Sequence, residues 1–227
     1  MTIRAVVIGA SAGGVQALSQ ILPALPAGFP VPVLVVVHIP PHRDNALVEL
    51  FAGKCLLAVK EAEDKEPLAP GTIYFAPPDY HLLVEAGGTV ALSSDEAVNH
   101  SRPAIDVLFE SAADAFGAHI AGVILTGANH DGAEGLRVLR AAGGQAIVED
   151  PGTAEVATMP QAALTACPAA TIEIRLRNAL RCMIYRLLPR CLRGRAAVVK
   201  VTKVWVAARI GSKLPPRYHR CNRQCPC

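Results

Sequence analysis

The sequence predicts an α/β domain: a doubly wound, mainly parallel sheet flanked by helices, with a small antiparallel hairpin region. Three observations carry this. Strand-like and helix-like segments alternate through the first 170 residues, as βαβ crossover units require. Val33-Leu34-Val35-Val36-Val37 is an unbroken aliphatic run, the pattern of a strand buried on both faces. Residues 6 to 14 read Val-Val-Ile-Gly-Ala-Ser-Ala-Gly-Gly, which is a strand, a tight turn and a helix start. Ser11 then sits at a strand's C-terminal tip, just under a helix N-terminus, where parallel sheets place a nucleophile or hold an anion.

Each element follows from local signals. Ala5 to Ala10 is the first strand, and Val15 to Leu22 begins a helix that Pro23, Pro26, Pro30 and Pro32 punctuate. The second strand ends at His38, where Ile39-Pro40-Pro41 stops it. Asn45 to Ala52 reads as helix. Thr72 to Ala76, His81 to Val84 and Thr89 to Leu92 are expected to form the antiparallel hairpin region, with Pro77-Pro78-Asp79 and Gly87-Gly88 as turns. Ile105, Leu108, Phe109 and Ala112 recur at helical spacing within Ala104 to Phe116. Ile120 to Leu125 is a buried strand that runs into Thr126-Gly127-Ala128-Asn129-His130-Asp131-Gly132. Ala133 to Ala142 is a helix closed by Gly143-Gly144, and Gln145 to Val148 is a strand. Met159-Pro160 opens a last short helix, Gln161 to Thr165.

Charge divides the 227 residues in two. Up to residue 170 there are 8 basic and 18 acidic residues, a net of −10. From Thr171 onward 14 basic residues face a single Glu173, a net of +13. The cysteines divide likewise: Cys55 and Cys167 in the acidic part, and Cys182, Cys191, Cys221, Cys225 and Cys227 in the basic tail. Two separated cysteines in the body fit reduced core thiols, no leader is expected ahead of the first strand, and no run of about 18 apolar residues could span a membrane. A cytoplasmic protein without membrane insertion is expected.

In an open parallel sheet the active crevice lies beyond the strands' C-terminal ends. Ser11, His38 and Asp131 follow three different strands and so converge there. Taken singly, each has a structural reading. The glycine turn could hold a phosphate, His38 could simply be structural, and Asp131 before Gly132 could be a turn or capping residue. The chain lacks G-x-G-x-x-G and Gly-Lys-Ser/Thr, which weakens the nucleotide reading. Residues so placed can together make a hydrolytic triad, in which serine attacks, histidine takes its proton, carboxylate holds the imidazole, and helix N-terminal amides receive the oxyanion. Gly9-Ala-Ser11-Ala-Gly13 matches G-x-S-x-G, but the order Ser, His, Asp is not that of α/β-hydrolases.

From about Arg4 to Ala169 the chain resembles the methylesterase domain of the bacterial chemotaxis CheB family. The residues that carry the likeness are Ile8-Gly-Ala-Ser-Ala-Gly-Gly14, Val37-His-Ile-Pro-Pro41, Val59-Lys-Glu-Ala-Glu-Asp64 and Pro70-Gly-Thr-Ile-Tyr-Phe-Ala-Pro-Pro-Asp79. Ser101-Arg-Pro-Ala-Ile-Asp-Val-Leu-Phe109, Gly122-Val-Ile-Leu-Thr-Gly127, Asp131-Gly-Ala133 and Met159-Pro160 follow in the same order. The resemblance implies hydrolysis of γ-glutamyl methyl esters on the cytoplasmic helices of chemoreceptors, with glutamine deamidation in some members. It implies Ser11 as nucleophile, His38 as base, Asp131 as the third member, and no metal or organic cofactor. Ala12 and Ala128 are the oxyanion candidates, and Arg102 is a candidate for orienting an acidic receptor segment.

Two departures stand out. The loop before Asp131 reads Ala128-Asn129-His130, where well-known members have Met-Gly-Asn, and His130 is a rival to His38. Adjacent residues rarely face one another, which favours His38. The chain also starts directly at the first catalytic strand, so no receiver domain is expected and activity is constitutive or governed by another chain. Tyr80-His81 is expected to flank the crevice. His42 is a poor metal partner for His38, because Pro40 and Pro41 break the spacing between them.

The domain is expected to end at about residue 170. For the 171–227 tail, the preferred reading is out-of-frame translation. The alternatives are a basic arm for nucleic acid or anionic membrane, and metal binding by Cys221, Cys225 and Cys227. On the preferred reading no nucleic-acid partner is expected. The rival functional readings are another acyl hydrolase or deamidase on this scaffold, and a catalytically inactive binding module.

Overall fold

The computed structural model describes residues 2–38 and 46–173. Seven strands form the main sheet: β1 (Ala5–Ala10), β2 (Val33–Val37), β3 (Ala58–Glu61), β4 (Thr72–Phe75), β7 (Ile120–Ile124), β8 (Gln145–Glu149) and β9 (Thr171–Glu173). Their order is β3-β4-β2-β1-β7-β8-β9, and every pairing is parallel. β5 (His81–Val84) and β6 (Val90–Ser93) form a separate antiparallel hairpin. The order runs one way from β1 to β2 and the other way from β1 to β7, so the topological switch point lies at β1.

Alternation along the strands divides two cores. Val6, Ile8, Val33, Val35, Val37, Ile73 and Phe75 pack with α1 (Gly14–Ile21) and α2 (Ala46–Ala52). Ala5, Val7, Leu34, Val36, Tyr74 and Val148 face α3 (Ile105–Phe116), α4 (Ala133–Ala141), α5 (Thr158–Ala166) and the hairpin. Strands covered on both faces explain the near-continuous apolar runs of β1 and β2. Gly9 is required by close approach. A Cβ there would lie 2.3 Å from the Ile105 side chain, so β1 could not receive the first residue of α3.

Three expectations need adjustment. Thr72–Phe75 is not part of the hairpin: it pairs parallel with both β2 and β3 inside the main sheet. β3 was not expected as a strand. β9, also not expected as a strand, adds parallel to β8 at Thr171–Glu173. Asn45, Pro40, Pro41 and His42 lie outside the described residues, as does the tail from residue 174, including its cysteines.

Candidate active site

The parallel register brings the strand-tip residues together. Ala10 pairs with Val37, so Ser11 and His38 are the next residues on adjacent strands, and the His38 amide continues the ladder by donating to the Ala10 carbonyl (3.2 Å). On the other side the Ser11 amide donates to the Thr126 carbonyl beyond β7 (2.9 Å). Gly13 takes φ +79 ahead of α1, so the chain turns directly from Ser11 into the helix.

Asp131 is fully buried in the loop between β7 and α4. His38 Nε2 donates to its Oδ2 (2.8 Å). The Ile105 amide donates to the same oxygen (2.6 Å), and the Asp106 amide (3.2 Å) and Asn99 Nδ2 (2.9 Å) donate to Oδ1. The carboxylate therefore caps the N-terminus of α3, whose own N-cap residue Ala104 supplies no side-chain bond. Burial by itself would raise the Asp131 pKa. The bonds from His38, Ile105 and Asn99 outweigh it and hold the carboxyl below its ordinary value.

An ionised carboxylate only accepts, so His38 Nε2 carries a proton toward Asp131, and in the neutral imidazole the lone pair then sits on Nδ1. Asn129 Nδ2 approaches that nitrogen at 3.4 Å, while Asn129 Oδ1 accepts from the Asp131 amide (3.2 Å), which orients the side-chain amide. Among the described residues no hydrogen bond joins the Ser11 hydroxyl to His38. His130, the rival histidine, is exposed, and its carbonyl accepts from the Ala133 amide (3.2 Å).

Thr126 binds three segments together. Its hydroxyl donates to the Ala12 carbonyl (2.8 Å) and accepts from the Val156 amide (2.8 Å). Its own amide donates to Glu149 Oε2 at the tip of β8 (2.8 Å). Burial raises the Glu149 pKa, against the opposing effect of the Thr126 bond. Among the described residues, the amides of Ala12 and Ala128 donate to no protein acceptor.

Other expected residues have different settings. Arg102 Nη1 donates to the carbonyls of Ser94 (2.9 Å) and Asp95 (3.0 Å), which braces the segment leading into α3. His81 is buried behind α3, where its Nδ1 accepts from the Ala104 amide (3.2 Å) and its Nε2 donates to the Glu96 carbonyl (3.0 Å). Sequence reasoning did not single out Asn99, Asp106, Thr126, Asn129 or Glu149. The available signal for Asn99 was its place in Val98-Asn99-His100-Ser101, since asparagine is favoured in left-handed turns.

The family model described as CheB methylesterase matches residues 6–177. A protein of Leptospira interrogans (serovar copenhageni), provisionally named protein-glutamate methylesterase/protein-glutamine glutaminase, is 48% identical over 166 residues. That match covers 73% of this chain and 86% of the relative. A protein-glutamate methylesterase/protein-glutamine glutaminase of Symbiobacterium thermophilum is 44% identical over 158 residues, 70% of this chain and 44% of the relative. The crystal structure of the Thermotoga maritima CheB methylesterase catalytic domain superposes with a TM-score of 0.77 at 35% identity, covering 82% of this chain and 100% of that one.

Proposed function

The chain belongs to the CheB methylesterase family, and on that premise we propose that it hydrolyses glutamate γ-methyl esters on chemoreceptors in bacterial chemotaxis. The observation that carries this is the 2.8 Å contact of His38 Nε2 with buried Asp131, next in register to Ser11. Ser11 Oγ attacks the ester carbonyl and passes its proton to His38 Nδ1, the nitrogen left free by Asp131. Asn129 Nδ2, which faces that nitrogen, gives way to the serine hydroxyl. The Ala12 and Ala128 amides receive the oxyanion, since among the described residues they donate to no protein acceptor.

Asp131 stabilises the imidazolium that forms. The methoxide leaves as methanol with the proton from His38. Water, deprotonated by the same nitrogen, then releases the glutamate carboxylate and free Ser11. The same attack on a glutamine γ-amide releases ammonia, in keeping with the paired names of the relatives. The substrate helices are cytoplasmic, and the enzyme works there. Among the described residues no helix is long and apolar enough to cross a membrane. Every group in this scheme precedes residue 171, and no chemistry is assigned to the basic tail.

The test is methanol release from membranes carrying methylated chemoreceptors. Wild type should release methanol, and Ser11→Ala should lower the rate about a thousandfold or more. Equal release from both proteins, or none from folded wild type, would overturn the reading.

A further inference from the structure

Asn99 lies in the segment between β6 and α3, far in sequence from Ser11, His38 and Asp131. Val98 and Ser101 exchange both backbone bonds (3.2 and 2.9 Å) around a two-residue turn. The turn residues, Asn99 at φ 51 and His100 at φ 61, are both left-handed, which makes a type I′ geometry usually held by glycine or asparagine. His100 is exposed, so the turn leaves one side chain directed inward, that of Asn99. Its Nδ2 donates to two carboxylates at once: Asp131 Oδ1 (2.9 Å) and Asp106 Oδ2 (2.7 Å).

Two buried carboxylates converging on one donor would repel one another or share a proton without it. The remaining donors do not replace it. His38 Nε2 and the Ile105 and Asp106 amides serve Asp131, while the Gly135 amide (2.6 Å to Oδ1) and the Gly132 amide serve Asp106. Among the described residues, the titratable groups bonded to or beside Asp131 are His38 from the end of β2 and Asp106 from α3. Glu110 lies farther along α3, His81 is buried against the Ala104 amide, and on the remaining neighbouring segments Asp95, Glu96, His100, His130, Glu134 and Arg137 are exposed.

We propose that Asn99 is a positioning residue for the His38–Asp131 pair, its amide bridging the Asp106 and Asp131 carboxylates and fixing Asp131 in line with His38. The proposal rests on the assignment of His38 and Asp131 to the reaction. Asn99 touches no reacting atom; it acts through Asp131.

The variant is Asn99→Gly, which suits the left-handed turn and removes only the amide. The first readout needs no substrate: carbon-detected NMR titration of the Asp131 carboxyl in the full chain. The midpoint should rise by about one pH unit, the shift that one lost hydrogen bond to a charged group carries. In the methanol assay kcat should fall about tenfold with KM unchanged, because the Asp131 carboxylate is no longer fixed in line with His38. Asn99→Asp, similar in shape but without the donor, should raise the midpoint at least as far and serves if the glycine variant does not fold. An unchanged Asp131 midpoint in the folded variant overturns the proposal, whatever its thermal stability. If wild type releases no methanol, the proposed function fails while the titration still decides this inference.

Discussion

Asp131 and Asp106 exchange helix N-termini. Asp131 stands just ahead of α4 yet caps α3 through the Ile105 and Asp106 amides. Asp106 stands in the first turn of α3 yet caps α4 through the Gly135 amide at 2.6 Å. The exchange locks the two helices to each other and fixes the carboxylate that His38 contacts. Gly132 makes it possible. At φ +89 it turns the chain into α4, and a Cβ there would lie 2.6 Å from Ile105.

Asp131→Asn should destabilise the protein by about 2–3 kcal/mol at pH 7, since two amide donors and His38 lose an ionised acceptor. The folded-state pKa of Asp131 lies below its ordinary value. Its contribution is therefore full above the unfolded value of about 3.9 and is lost as pH falls through the folded value. Thermal unfolding of both proteins from pH 3 to 8 should show a gap that closes only at the acid end. A gap that stays constant to pH 3 would contradict the capping account.

Glu149→Gln should have the opposite pH signature. Burial raises the folded pKa of Glu149, so its favourable term is complete below the unfolded value and is lost as pH rises through the folded one. A glutamine oxygen can still accept from the Thr126 amide. The variant should match wild type near pH 4 and gain in relative melting temperature as pH rises, then level off. A difference that shrinks as pH rises would show that burial does not govern this carboxyl.

Thr126→Val removes the hydroxyl that serves both Ala12 and Val156 in a site 1% exposed. The cost should be about 1–2 kcal/mol, because two partly covered backbone groups lose a partner. kcat should fall too, since the Ala12 carbonyl belongs to the Ser11 turn. Thr126→Ser, which keeps the hydroxyl, should recover most of both. Chemical denaturation with parallel rate measurements separates these outcomes.

Much of this architecture is legible in the sequence. Val33 to Val37 is legible because a strand covered on both faces carries no polar interruptions. β3 is not, because the edge strand Ala58–Glu61 is only partly covered and shows no apolar period. Thr72–Phe75 carries strand propensity but nothing in a four-residue run says whether its partner is parallel, so proximity to the hairpin misplaced it. Ser11, His38 and Asp131 could be listed because strand tips converge in any parallel sheet. Thr126 could not, because a single polar loop residue has no spacing to read, and Asn99 offers only the turn signal of Val98-Asn99-His100-Ser101, which says nothing of its carboxylate partners. Asp106 resembles any acidic residue in a first helical turn until α4 is seen beside it.

The central claim is that Ser11 is a nucleophile driven by His38, and the most direct test is reaction with a fluorophosphonate, mapped by mass spectrometry. The account predicts an adduct on Ser11 in folded wild type, forming at least about a hundredfold more slowly in His38→Gln. No adduct on folded wild type, an adduct on another serine, or an equal rate in the variant would contradict it.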